Sequence, residues 1–211
     1  MKSGLLVAWS VLLLTAVVGY GGFVFWRQFK DTVSSTANNT QHIGGAAYAG
    51  KGPVDFNMTT QNNQPFSAKS MTGKVWVVSF FFTNCTWKCL EQNQALSKLQ
   101  KELNDPEIQF VSITCDPTRD TPEVMRKYAE QFNADPEQWL FVTGNMTQIQ
   151  NLAKNQFLMS INQQTHSERA LVIGPDGKIL DFFDTLEPNE MKKMKAFLLK
   201  LKAESQPVAS S

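Results

Sequence analysis

The chain has 211 residues, with 20 Lys and Arg against 19 Asp and Glu, for a formal net charge of +1. So even a balance excludes the strong basic field with which proteins hold nucleic acid. Three cysteines are too few for a disulfide framework, and one close pair plus one single thiol points instead to a redox or metal site.

The first element is "GLLVAWSVLLLTAVVGYGGFVFW", residues 4–26, which carries no charge. At about 1.5 Å per residue it is long enough for a hydrocarbon core of roughly 30 Å. Tyr20, Phe23, Phe25 and Trp26 suit an interfacial belt at its end. Residues 1–30 are therefore expected to be a membrane anchor rather than a cleaved signal. Residues 31–53, rich in Ser, Thr, Asn, Gly and Ala, read as a flexible linker, and His42 within it has no partner at a ligand spacing. Residues 204–211 read as a disordered tail, which leaves 54–203 for the folded domain.

Within the domain, "VWVVSFFF" (75–82) is a continuous apolar run, as expected of a strand covered on both faces. "LEQNQALSKLQKEL" (90–103) places Leu96, Leu99 and Leu103 at helical spacing. A strand at 108–115 follows. The helix at 121–132 is capped by Asp120 or Thr121 and carries Pro122 in its first turn. A strand at 139–144 and a helix at 146–157 come next. Residues 168–184 read as a hairpin turning at Pro175-Asp176-Gly177, and 187–203 as a helix with Met191, Met194, Leu198 and Leu201 on its apolar face. Alternating strands and helices closed by an antiparallel hairpin predict an α/β thioredoxin-like sandwich: a central mixed sheet with flanking helices.

Sites in such sheets lie beyond the carboxyl ends of the strands. Cys85 and Cys89 fall there, after the first central strand and at the start of its helix. With a helix beginning near Thr86, residues four apart share a face, so the two sulfurs converge on each other or on a shared ion. The helix start and Lys88 favour thiolate. Two sulfurs alone make a redox pair; a metal wants a third ligand. The domain's one histidine is His166, in "NQQTHSERALVI", just before the hairpin. A Cys2His set suits Cu(I), and zinc with an open position fits the same donors. Spacing alone leaves dithiol redox and metal binding both open. Cys115, near the end of the neighbouring strand, is either an inert buried thiol or a third thiol that exchanges with the pair.

These segments carry a resemblance. "GKVWVVSFFFTNCTWKC", "VSITCDPTRDTPEVMRKYAEQF", "WLFVTG" and "THS...LVIGPDGKI", in this order, resemble the Sco/SenC family. The resemblance covers most of residues 54–200. It implies a membrane-anchored thioredoxin-fold protein that binds copper and assists assembly of the copper site of cytochrome c oxidase. The family's C-x-x-x-C falls on Cys85 and Cys89, its distal histidine on His166, and its D-P-x-x-D-T-P segment on Asp116, Pro117, Asp120, Thr121 and Pro122. The sequence departs from the family where Thr86 and Leu90 stand in place of the usual prolines, and Trp87 and Lys88 in place of an often acidic insert.

A peroxidase of the peroxiredoxin type would need Pro and Thr at fixed offsets before the reactive cysteine. A thioredoxin-type reductase would need two residues between its cysteines, where this chain has three. The expected function is thus a copper metallochaperone, with Cu(I) held by Cys85, Cys89 and His166. The alternative is a membrane-anchored thiol–disulfide oxidoreductase using Cys85 and Cys89 as its catalytic redox pair. The expected partner is the copper-site subunit of the oxidase or another copper or thiol protein. The expected location is a bacterial inner membrane, since no Arg-rich presequence is seen, with the domain on the periplasmic side.

Overall fold

The computed structural model describes Tyr48, residues 51–162 and residues 167–205. The expected anchor, nearly all of the linker, most of the tail, and His166 lie outside these residues. Among the described residues, no helix is long and apolar enough to cross a membrane.

Seven strands form one mixed sheet in the order β2-β1-β5-β4-β3-β6-β7. In chain order they are β1 (Asn57–Thr60), β2 (Pro65–Ser67), β3 (Val75–Phe81), β4 (Ile108–Thr114), β5 (Trp139–Thr143), β6 (Arg169–Ile173) and β7 (Ile179–Asp184). β3, β4 and β5 are parallel, with Phe81 opposite Thr114 and Val111 opposite Leu140. β6 runs antiparallel to β3, with Val78 opposite Leu171, so β6 begins at the edge where β3 ends.

β3 is buried at every position because helices cover both faces of the sheet. Val75, Val77 and Phe81 face one cluster with Leu96, Leu99, Met125, Met194 and Leu198. Trp76, Val78 and Phe80 face the other, with Ile149, Leu152 and Phe157. The helices are α1 (Lys88–Leu103), α2 (Pro122–Glu130), α3 (Met146–Asn155) and α4 (Pro188–Ser205). α1 ends at Asn104, which adopts a left-handed φ of 45° while its N–H donates to the Gln100 carbonyl. α2 is started by Thr121, whose side chain accepts from the Val124 N–H, with Pro122 at the first helical position. Gly177, at φ 77°, turns the β6–β7 hairpin.

Two features depart from the sequence reading. α1 begins at Lys88, not near Thr86, so Cys85 precedes the helix. The β1–β2 hairpin was not expected. "NMTT" is short and mostly polar, burying only Met58 and Thr60 well, and β2 opens on a proline. Proline is tolerated there because β2 is an edge strand. β1 finds its place by pairing antiparallel with β5, a contact some eighty residues away that no local pattern announces.

Candidate metal and thiol centre

The loop from Phe82 to Trp87 carries the chain from β3 to α1, over the carboxyl edge of the parallel strands. It is held from below by Asp120. That carboxylate is fully buried and accepts from the Thr83 hydroxyl at 2.5 Å, from the Thr83 N–H at 3.2 Å and from the Thr114 hydroxyl. Burial first, partly offset by these hydrogen bonds, raises its pKa above the usual carboxylate value. Asp120 thus joins the end of β3, the end of β4 and the start of α2. The sequence offers it as a rival to Thr121 for the helix cap and as part of the D-P-x-x-D-T-P segment. The cap is Thr121, and Asp120 faces inward instead.

Cys85 is partly exposed, whereas Cys89 and Cys115 have no solvent exposure, and none of the three is in a disulfide. The Cys89 N–H donates to Cys85 Sγ at 3.3 Å. Since Cys89 lies in the first turn of α1, the Cys85 sulfur sits at a helix N-terminus, where N–H groups lack intrahelical partners. Partial burial works upward on the Cys85 thiol. The backbone N–H groups of Cys89, Trp87 and Lys88 and the Cys89 side chain outweigh it, and the net shift is downward. The Cys89 thiol moves the opposite way, well above the ordinary thiol range, through burial first and its hydrogen bond to Cys85 second. The pair is therefore asymmetric: an accessible sulfur disposed to be thiolate beside a buried one that keeps its proton.

Lys88 acts here through its backbone. Its ammonium is turned to Glu168, at 2.6 Å, and that hydrogen bond raises its pKa. Glu168 immediately precedes β6, and its carbonyl accepts from the Thr185 hydroxyl at 2.5 Å. Gln92 ties α1 to β3 by donating to the Phe80 carbonyl at 2.7 Å. The start of α1, the end of β3 and the start of β6 are in this way fastened together around the cysteine loop. Neither Glu168 nor Asp120 stood out as a site residue in the sequence. The spacing of the D-P-x-x-D-T-P segment was the available signal for Asp120; Glu168 had none.

Cys115 follows β4, and its N–H donates to the Phe81 carbonyl at 2.8 Å. Its side chain belongs to the apolar cluster on the opposite face from that of Cys89. Among the described residues, no group of three or more His, Cys, Asp or Glu side chains is arranged to hold a metal ion. The pair presents two soft sulfurs, one of them disposed to be anionic. That donor chemistry fits a thiophilic ion completed by further ligands, and equally fits disulfide exchange.

Comparison with known proteins places this geometry in context. The family model described as SCO1/SenC matches residues 46–204. A Stutzerimonas stutzeri protein named "Putative copper-binding protein" is 31% identical over 134 residues, which cover 58% of this chain and 64% of that protein, under two thirds of its length. A crystal structure of a SCO1/SenC family lipoprotein from Bacillus anthracis superposes with a TM-score of 0.68 at 28% identity, covering 72% of this chain and 95% of that one. The structure of BsSco, described as a member of the Sco family of cytochrome c oxidase assembly proteins with a disulfide switch, superposes with a TM-score of 0.65 at 25% identity, covering 71% and 92%.

Proposed function

The chain belongs to the SCO1/SenC family, and from that premise we propose that it carries copper as cargo and assists assembly of the copper site of cytochrome c oxidase. Cu(I) is held in this reading by Cys85, Cys89 and His166. Two relatives support it by what is said of them: copper binding for the Stutzerimonas protein and oxidase assembly for the family of BsSco. The sulfurs support it chemically, because thiolate is a preferred donor for Cu(I).

The observation that carries the proposal is the sulfur pair itself: the Cys89 N–H donates to Cys85 Sγ at 3.3 Å, so two soft donors sit together at the start of α1. His166 precedes Glu168 by two residues. His166 is the imidazole donor that this reading assigns to the ion. With three donors the ion retains an open side, and it passes to a partner by ligand exchange without being released. The cysteines must be reduced to bind, so delivery is coupled to redox state. The partner is the copper-site subunit of the oxidase or another copper or thiol protein. The domain stands on the periplasmic side of a bacterial inner membrane, held by the apolar segment 4–26, and its sheet is of the thioredoxin-like type.

The asymmetric dithiol favours a second reading, a membrane-anchored thiol–disulfide oxidoreductase acting through Cys85 and Cys89. Metal analysis of the reduced full chain beside His166→Ala separates the two. The copper reading expects about one Cu(I) per chain in the wild type and a loss of affinity of at least a hundredfold in the variant. Undiminished affinity in His166→Ala removes the imidazole from the site. Physiological activity that survives His166→Ala but not Cys85→Ser makes dithiol chemistry the function.

A further inference from the structure

Besides Cys89, the polar side chains buried along α1 are Gln92, Asn93, Ser97 and Gln100. Three of them serve the fold. Gln92 donates to the Phe80 carbonyl at 2.7 Å and accepts from the Thr185 hydroxyl at 3.3 Å. Ser97 donates to the Phe132 carbonyl at 2.8 Å, and Gln100 to Gln138 Oε1 at 2.9 Å. Asn93 differs. Its Nδ2 donates to the Tyr128 hydroxyl at 3.1 Å, but its Oδ1 is buried with no hydrogen-bond partner among the described residues. Buried polar atoms are nearly always paired, so this oxygen calls for a reason. Asn93 follows Cys89 by one turn on the same face of α1, and helical side chains lean toward the N-terminus, over the preceding turn. Tyr128 belongs to the apolar cluster that holds Cys89, and its ring stacks on Phe81, the last residue of β3, with centroids 5.4 Å apart. An amide and a phenol can exchange roles: when the Tyr128 O–H donates to Oδ1, the Nδ2 donor is released for another acceptor.

We propose that Asn93 and Tyr128 are positioning residues for Cys89, together presenting an amide N–H to its sulfur when that sulfur carries negative charge, as a ligand to a cation or as a nucleophile. In the reduced chain the Cys89 thiol keeps its proton and shares it with Cys85, and the amide donor rests on the phenol. Once that proton leaves, the charged sulfur lies where water does not reach it and needs a donor from the protein. Turning the Asn93 amide by half a turn supplies one, and the same turn pairs the orphaned oxygen with the Tyr128 hydroxyl. Among the polar side chains buried along α1, Asn93 is the one with an atom still to be paired. The inference rests on Cys89 acting as an anionic sulfur, which the copper and dithiol readings share.

The test uses the reduced full chain without metal and hydroxyethyl disulfide as the oxidant. In the first step the Cys85 thiolate attacks one probe sulfur, the probe S–S bond breaks, a mixed disulfide forms, and mercaptoethanol leaves as thiolate. In the second, Cys89 gives its proton to buffer, its thiolate attacks Cys85 Sγ, the mixed disulfide breaks, a Cys85–Cys89 disulfide forms, and a second mercaptoethanol leaves as thiolate. Acid quench and mass spectrometry read the two rate constants separately. Asn93→Leu, an apolar side chain of similar size, is expected to slow the second step at least about tenfold, the worth of a hydrogen bond to a charged group. It should leave the first step within about twofold and hold or raise the urea midpoint, because it also removes the unpaired oxygen. Tyr128→Phe, which keeps the ring and deletes the hydroxyl, should slow the second step less, about threefold. Ser97→Ala, one turn further on, should lower the urea midpoint and leave both steps unchanged. A second step unchanged in Asn93→Leu overturns the proposal, as does a wild type in which Cys89 never closes on the mixed disulfide. A second step slowed as much by Ser97→Ala overturns it in favour of a merely structural role. Cu(I) titration of the same proteins keeps the two readings apart: a wild type that takes up no Cu(I) defeats the copper reading and leaves the disulfide measurement standing.

Discussion

Removing the Cys89 side chain should make Cys85 a poorer thiolate. The Cys85 sulfur accepts from three backbone N–H groups, which survive any side-chain substitution, and from the Cys89 thiol, which Cys89→Ala deletes. A hydrogen bond to a charged acceptor is worth about 1.5–3 kcal/mol, but a thiol is a weak donor, so about 1 kcal/mol is reasonable here. That is about a fivefold loss of thiolate at a pH below the midpoint. A more basic thiolate is the better nucleophile, with a Brønsted slope of about 0.4–0.5, which returns about a factor of two. Alkylation of Cys85 by iodoacetamide should thus slow about two- to threefold on the acid side, and the midpoint of its pH–rate profile should move up. Cys89→Ser, which keeps a donor in place, should hold the wild-type midpoint. Mass spectrometry of the reduced full chain over pH 4–9, by our reckoning a range that brackets ordinary and lowered thiols, supplies the measurement. A midpoint that stays put or falls in Cys89→Ala refutes the hydrogen-bond account. Alkylation of Cys89 as fast as Cys85 in the wild type refutes the asymmetry altogether. Linkage gives the sign for stability. Cys85 is lowered in the folded state, so the reduced protein gains stability as pH rises from the folded Cys85 value toward the ordinary thiol value of about 8.5. Cys89 is raised, so stability falls again above that value.

Two further outcomes are expected. Cys115→Ala should lower stability in urea by about 1–2 kcal/mol, the usual cost of a small buried deletion, while leaving the alkylation rate of Cys85 within about twofold, since the side chain packs on the other face of the sheet; a fall of fivefold or more would make it part of the centre. Asp120 has a raised folded-state pKa, so folding takes up protons between the ordinary carboxylate value of about 3.9 and the folded one. Wild-type stability relative to Asp120→Asn should therefore decline as pH rises through that window, at up to about 1.4 kcal/mol per pH unit, and then level off. Urea melts from pH 4 to pH 8, about the span of that window and its plateau, test this, and a difference that grows with pH is the refuting result.

Local periodicity in the chain already dictated most of the architecture. The unbroken apolar run of β3, the three-and-four spacing of Leu96, Leu99 and Leu103, and the Thr121-Pro122 start of α2 each depend on neighbours within one turn or one strand, and each is found where its pattern points. The placement of Cys85 and Cys89 beyond a strand end was legible for the same reason. Tertiary structure alone made the two sulfurs unequal, because burial and the exact first residue of α1 depend on what packs over the loop. It alone turned Asp120 inward to Thr83, drew Glu168 to Lys88 across eighty residues, and gave "NMTT" a strand by offering it the edge of β5. Each of these is a contact between groups distant along the chain. Hydrogen bonds and desolvation act through space, and no window of consecutive residues contains both partners.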